Sequence, residues 1–312
     1  MRFRSFTLFT FFLLFCNHAF AQVKNSDQSL LKKTYDYSVK DTPSLKLDIY
    51  SNEELKVKKP TILFVFGGGF FTGRRDDKFY IAYFKKLVQH NYKVVSIDYR
   101  LGLKGVKKLG PLHTKPLRNA IDTAVTDLYH ATAYLIKNAD RLGIDTSKII
   151  LSGSSAGAIT VLQADWEKRN HTDLTLPLPA NFQYAGVISF AGAILSYSGA
   201  PSYKMAPAPT MLFHGTEDKV VVYNKIRLFN KGFFGSNYLA KSFKKHKYPY
   251  YYQRVEGMGH EVAGSPMTNN VEDILWFIDN YVMKKKQYLI ERDYNDLERK
   301  RTFNKTAADL YH

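Results

Sequence analysis

Ile149-Ile150-Leu151-Ser152-Gly153-Ser154-Ser155-Ala156-Gly157 is the stretch on which the reading of the whole chain turns. Three apolar residues run into a serine bounded by glycines in the pattern Gly-x-Ser-x-Gly. A short apolar run closed by a Gly-bounded turn predicts a buried strand that stops abruptly. Residues 156–167 predict a helix directly after it. Strand, sharp turn and helix are the context in which this pattern carries chemistry. The turn lifts the Ser155 hydroxyl clear of the sheet, at the positive end of the helix. Gly153 and Gly157 suit it because a Cβ at either place would crowd the crossing of strand and helix. Alone, the pattern also fits an ordinary Gly/Ser turn. The decision rests on whether the chain supplies a base, an acid and an oxyanion hole in a workable order.

Working outward, Thr61-Ile62-Leu63-Phe64-Val65-Phe66 is a continuous apolar run, as expected of a strand buried on both faces, and it ends in Gly67-Gly68-Gly69. Before it, residues 34–50 carry two alternating runs split by Asp41-Thr42-Pro43-Ser44, which predicts an edge hairpin. After it come a helix over 79–90 and a strand over 93–100. Ile121, Ala124, Val125, Leu128, Ala131 and Leu135 recur at helical spacing and predict a long helix ending near 140. Beyond the serine, strands are expected over 184–194, 209–214 and 250–256. A basic, aromatic segment over 224–247 reads as helical, and a closing helix is expected over 271–282. Strands alternating with helices after a hairpin imply an α/β fold: a mostly parallel central sheet with an N-terminal antiparallel hairpin and helices on both faces. Sites in such sheets lie outside the carboxyl ends of the strands. Gly67, Ser155, Asp218 and His260 each follow a predicted strand directly.

The chain has 312 residues, 45% hydrophobic and 23% charged, an ordinary globular balance. Its start reads differently. Met1-Arg2-Phe3-Arg4 is basic, 6–15 is apolar, and Ala19-Phe20-Ala21 fits a small-x-small cleavage site. Residues 1–21 are therefore expected to be a signal peptide, 22–283 a single catalytic domain and 284–312 a charged C-terminal tail. The expected location is periplasmic or secreted. The apolar run is too short to span a membrane. Cys16 is the only cysteine and would leave with the leader, so the mature chain has no disulfide, cysteine nucleophile or thiolate metal site. No His/Asp/Glu cluster has metal-ligand spacing, and no phosphate loop or Gly-x-Gly-x-x-Gly is present, so no metal or cofactor is expected. The formal charge is +17, or +15 once Arg2 and Arg4 are removed. Seven of the cations lie between Lys225 and Lys247 with no acid among them. That segment, 225–247, is either a solvated face or a surface for anionic surfaces or acidic glycans. No nucleic-acid module is visible.

Serine attacks only when a base takes its proton. His260, in Gly257-Met258-Gly259-His260-Glu261, sits on a Gly-rich loop between the last strand and the closing helix. From there it can swing over the serine. His214, before Gly215 at a strand end, reads as structural. The acid that orients the imidazole is sought in His214-Gly215-Thr216-Glu217-Asp218, where Asp218 and Glu217 are both placed to serve. An oxyanion hole needs backbone donors aimed at one point. Ala156 supplies one N–H after the nucleophile, and Gly68 and Gly69 supply the others from a loop without side chains.

The order Ser155, Asp218, His260 is that of one known arrangement, and here the chain resembles the α/β-hydrolases of the esterase/lipase group, over nearly all of its expected mature length. Gly153-Ser154-Ser155-Ala156-Gly157 resembles the nucleophile elbow. Asp98-Tyr99-Arg100-Leu101 resembles the stretch after the fourth strand in carboxylesterases, and the acid turn favours Asp218 over Glu217. Phe66-Gly67-Gly68-Gly69-Phe70 resembles the oxyanion loop with one departure. The family usually has histidine where Phe66 stands, and that histidine helps hold the loop. The resemblance implies a cofactor-free serine carboxylic-ester hydrolase. The expected substrates are short-chain acyl esters, including esters of carbohydrate, with Phe70, Phe71, Tyr197 and Tyr203 at the mouth of the site. The alternatives are a serine peptidase on the same fold and a non-catalytic, glycan-binding relative. The peptidases usually carry a large preceding domain, and the binding proteins typically lose part of the triad.

Overall fold

Residues 30–38, 44–52, 57–106, 110 and 113–310 are described in a computed structural model of the chain. The leader expected over residues 1–21, and the start of the domain at residue 22, lie outside these residues. The strands are β1 (Leu31–Ser38), β2 (Leu45–Ser51), β3 (Lys59–Val65), β4 (Lys93–Ile97), β5 (Ile144–Ser154), β6 (Gly186–Phe190), β7 (Ala193–Ser196), β8 (Thr210–Gly215), β9 (Lys225–Leu228), β10 (Lys231–Gly235), β11 (Tyr250–Val255) and β12 (Leu289–Tyr294). The α-helices are α1 (Lys78–Gln89), α2 (Lys115–Lys137), α3 (Ala139–Leu142), α4 (Ala156–Asn170), α5 (Ser236–His246), α6 (Pro266–Asn269), α7 (Val271–Phe277), which runs on as a wider π-turn over Ile278–Met283, and α8 (Ala307–Leu310).

Nine strands form one sheet in the order β1-β2-β4-β3-β5-β6-β8-β11-β12. Only the first two pairings are antiparallel, β1 with β2 and β2 with β4. The rest are parallel. The central strands are apolar throughout because helices cover both faces; Ile62, Leu63, Phe64, Ile150, Leu151, Ile188 and Leu212 are fully buried. Pairing registers level the carboxyl ends. Val65 lies beside Gly153, Ser154 beside Phe190, Phe190 beside Phe213, and Gly215 beside Val255. The segments that leave these strands therefore meet at one edge.

Three segments depart from the sequence expectation. The stretch 184–194, read as one strand, is broken into β6 and β7, which belong to different sheets. The stretch 224–247, read as helical, is a hairpin of β9 and β10 followed by α5, and β10 also pairs with β7 in a second, three-stranded sheet. The residues read as a charged tail from 284 onward supply β12, which pairs in parallel with β11 and extends the main sheet. Burial does little to hold that edge strand. Side-chain pairs do more: Tyr250 Oη donates to Glu291 at 2.6 Å, Arg254 holds Glu291 at 3.0 Å and also pairs with Asp293, and Arg292 reaches Asp273 at 2.6 Å.

Candidate active site

Strand β5 ends at Ser154 and α4 begins at Ala156, so Ser155 alone makes the turn, with φ 52° and ψ −117°. A non-glycine residue at positive φ is costly and is held only by its surroundings. The surroundings are specific. Ser155 N–H donates to Phe190 O at 2.9 Å. A Cβ on Gly157 would stand 2.0 Å from Val65 O, and one on Gly153 would stand 2.3 Å from Gly157 O. Both glycines are required by backbone-to-backbone contact.

Ser155 Oγ lies 2.7 Å from His260 Nε2, and His260 Nδ1 lies 2.8 Å from Asp218 Oδ2. The tautomer follows from the partners. Nδ1 faces a carboxylate and carries the proton, which leaves the Nε2 lone pair for the serine hydroxyl. The other Asp218 oxygen accepts from Val220 N–H at 2.8 Å and Val221 N–H at 3.0 Å. Burial pushes the Asp218 carboxyl up, but the hydrogen bonds from His214 and His260 outweigh it and hold the group well below the usual carboxylate range. Glu217 points away: its side chain is 52% exposed and lies 3.7 Å from Arg301. The histidine loop is clamped from two sides. Glu217 N–H donates to Met258 O, and Ser154 Oγ, beside Ser155, donates to Ala263 O at 2.8 Å.

The glycine loop approaches the serine from the other side. A Cβ on Gly67 would stand 3.2 Å from Ser155 Cβ. Gly68 and Gly69 have φ of 120° and 62°, and even Phe70 has φ 65°. Gly68 O accepts from Phe71 N–H and Thr72 N–H at 3.1 Å each, closing the loop on itself. Ala156 opens α4, where first-turn N–H groups have no partner within the helix. Where the resemblance leads one to expect histidine, Phe66 is buried and stacks on Tyr99 with ring centroids 4.5 Å apart. Tyr99 Oη donates to Phe66 O at 3.1 Å, and Gly67 N–H donates to Tyr80 Oη at 3.1 Å. Arg100, next in the chain, anchors this stretch to α2 through Asp127 at 2.6 Å.

Three supporting residues escape sequence reading. His214 is fully buried with Nε2 facing two acceptors, Val221 O at 3.1 Å and Asp218 Oδ2 at 3.4 Å, so it is a second donor toward the acid. Its position four residues before Asp218, at a strand end, is a signal that sequence alone reads as merely local. Tyr80 comes from α1, and nothing in the sequence links it to the glycine loop. Phe303, from beyond β12, packs edge-on against the His260 ring at 5.5 Å. Three of the four aromatics expected at the mouth of the site lie elsewhere. Phe70 is buried against Tyr99, and Tyr203 packs against Phe243 and Tyr248, so both serve the core. Tyr197 lines a cleft of about 450 Å³ with Arg118, Trp166 and Glu167, three turns along α4 from Ser155 and about 17 Å away along the helix axis.

Comparison with known proteins agrees with this architecture. Residues 47–194 match the BD-FAE family model, a stretch that holds the glycine loop and the serine turn and stops before Asp218 and His260. Over 121 residues the chain is 30% identical to Esterase B1 of Culex pipiens, covering 38% of this chain and 21% of that protein. Over 107 residues it is 32% identical to Lipase 2 of Moraxella sp. (strain TA144), covering 34% and 21%. The chain spans about a fifth of the length of these curated relatives. A thermophilic esterase from Thermogutta terrifontis superposes with a TM-score of 0.57 at 21% identity, covering 81% of this chain and 92% of that one. These likenesses show the α/β-hydrolase fold, and the proteins that share it here are esterases and a lipase.

Proposed function

We propose that this chain is a serine carboxylic-ester hydrolase, with Ser155 as nucleophile, His260 as general base and acid, and Asp218 as the carboxylate that orients the imidazole. The observation that carries the reading is the unbroken path Ser155 Oγ–His260 Nε2 and His260 Nδ1–Asp218 Oδ2 at 2.7 and 2.8 Å. His260 Nε2 takes the hydroxyl proton as Oγ attacks the ester carbonyl carbon. The carbonyl oxygen becomes an oxyanion, held by the N–H groups of Ala156, Gly68 and Gly69. As the tetrahedral centre collapses, His260 returns the proton to the departing alcohol. Water then attacks the acyl-serine, with His260 taking its proton and handing it back to Ser155 Oγ. The depressed Asp218 carboxyl supports this cycle, because a carboxylate that stays ionised stabilises each imidazolium as it forms.

The substrate class we favour is short acyl esters on small-molecule or carbohydrate alcohols, handled without interfacial activation, by an exported enzyme. Two connections support the absence of a mobile lid, because both are anchored at the C-terminal end of α4, away from Ser155. The one after β7 is tied to α4, since Ser202 O accepts from Trp166 Nε1 at 2.8 Å and from Asn170 Nδ2 at 3.1 Å. The one after α4 is held by Lys168, which donates to Pro179 O at 3.1 Å and Ala180 O at 3.2 Å. A phosphonate serine probe should label the native protein at Ser155 only. Ser155→Ala should remain folded and lose on the order of 10⁴-fold or more in kcat. A series of aryl esters, beside acetylated and feruloylated oligosaccharides, then sets the acyl preference. Full activity in Ser155→Ala would overturn the mechanism. A jump in rate at the micelle threshold with long-chain esters would overturn the substrate class. Peptide-bond cleavage without ester cleavage would favour the peptidase, and a folded native protein that ignores the probe would favour a binding protein.

A further inference from the structure

The β9–β10 hairpin carries three features that folding alone does not account for. Its two-residue connection, Phe229-Asn230, joins the cross-strand pair Leu228 and Lys231. Phe229 opens that connection at φ 53°, where glycine is the usual residue. Its ring is 86% exposed, and Ile226 and Leu228, two apart on one face of β9, are 67% and 50% exposed. A strained backbone that presents an aromatic ring to water is an outlier of the kind that points to function. On the hairpin itself the charge has one sign, with Lys225, Arg227 and Lys231 exposed. Further along the chain, Lys241, Lys244, Lys245 and Lys247 are exposed on α5 and its cap. No acid occurs anywhere in 225–247. Lys244 is shared with Glu291 at 3.2 Å.

We infer that this hairpin docks the protein on an anionic lipid surface, with Phe229, Leu228 and Ile226 entering below the headgroups and the flanking cations resting at the phosphates. Apolar residues seated at the acyl boundary, with Lys and Arg snorkelling to anionic headgroups, are the two halves of interfacial binding. An acidic polysaccharide would use the cations but leave the three apolar side chains in water. The placement also suits docking. The small sheet grows from the carboxyl edge of the large one, because β7 starts three residues after β6 ends and β9 seven residues after Asp218. None of this depends on the chemistry at Ser155.

The test is cosedimentation of the full chain with vesicles of phosphatidylcholine alone and of phosphatidylcholine with phosphatidylglycerol. Binding is expected to the anionic vesicles, weakening as salt rises, with little binding to the zwitterionic ones. Phe229→Gly is the decisive variant. Glycine suits the positive φ, so the thermal midpoint should hold or rise, while vesicle affinity should fall about tenfold. Lys225→Gln, Arg227→Gln and Lys231→Gln should each weaken binding about fivefold. Wild-type protein that ignores anionic vesicles, or binds both compositions equally, would overturn the inference. So would Phe229→Gly retaining wild-type affinity. Binding to a soluble acidic polysaccharide with the same affinity in wild type and Phe229→Gly, without vesicle binding, would assign the cations to a glycan instead.

Discussion

Replacing Asp218 by Asn changes one atom, and the surrounding donors dictate how the new amide must sit. One Asp218 oxygen accepts from Val220 N–H and Val221 N–H, and the other from His260 Nδ1 at 2.8 Å and, at 3.4 Å, from His214 Nε2. If the amide NH₂ faced the two backbone N–H groups, both buried donors would lose their acceptor, at about 1–3 kcal/mol each. The amide oxygen therefore stays with the backbone, which avoids roughly 2–6 kcal/mol of lost hydrogen bonding, and the NH₂ turns toward His260 Nδ1, while His214 Nε2 keeps Val221 O as its acceptor. Facing a donor, the imidazole must give up its Nδ1 proton and carry it on Nε2, 2.7 Å from Ser155 Oγ. A nitrogen that already holds a proton cannot accept the serine's. We expect kcat for Asp218→Asn to fall by about 10⁴, the scale reached when a triad histidine is held in the wrong tautomer. KM should stay within a few fold, because the glycine loop and Ala156 are untouched. Labelling by a phosphonate probe should slow in proportion. Glu217→Gln is the control. Among the described residues its half-exposed carboxylate has only the Arg301 ion pair at 3.7 Å, so a change below about twofold is expected. Asp218→Asn within tenfold of wild type, or Glu217→Gln falling as far as Asp218→Asn, would refute the reasoning.

Two further outcomes follow from the segment beyond β11. The Phe303 ring stands edge-on to His260 at 5.5 Å, and its segment is tied down by Arg301 Nε to Gly257 O at 3.2 Å and Ala307 N–H to Lys219 O at 3.1 Å. Phe303→Ala should lower kcat about 2–12-fold at nearly constant KM, the range an aromatic edge contact contributes, with Phe303→Leu in between; unchanged kinetics would make the contact idle. The Tyr250 hydroxyl, Arg254 and Lys244 draw the Glu291 carboxyl down from 4.5 to about 2. Because the folded state lowers this pKa, the stabilisation is complete above pH 4.5 and is lost as pH falls toward 2. Amide exchange in β12, corrected for intrinsic rate, should accelerate relative to β8 over that window, and Glu291→Gln should remove the difference.

The residues proposed to carry the chemistry stand out in the sequence because each follows a strand end marked by glycine. Gly153 and Gly157 announce the Ser155 turn, Gly215 precedes Asp218, and Gly259 precedes His260, and the backbone contacts behind Gly153, Gly157 and Gly215 leave no room for a Cβ. Two elements were hidden for physical reasons. The β9–β10 turn carries Phe229 where a glycine would have marked it, and β10 is paired by β7, a partner distant in sequence. Strand β12 is an edge strand held more by cross-strand ion pairs than by burial, so its sequence shows charge rather than alternation. The glycine loop shows the limit most sharply. Phe66 stands where histidine was expected, and sequence can say only that a polar tether is missing. The structure supplies other tethers: the Phe66–Tyr99 stack, the Tyr99 hydroxyl on Phe66 O, and the Tyr80 hydroxyl under Gly67 N–H. The first two come from Tyr99 in the segment after β4 and the third from α1. Gly73 completes the fit, since a Cβ there would stand 2.6 Å from the Phe66 ring. A loop can thus keep its geometry after losing its polar anchor when an apolar ring is stacked in its place and neighbouring hydroxyls take up the backbone groups, and no single-position pattern records that exchange.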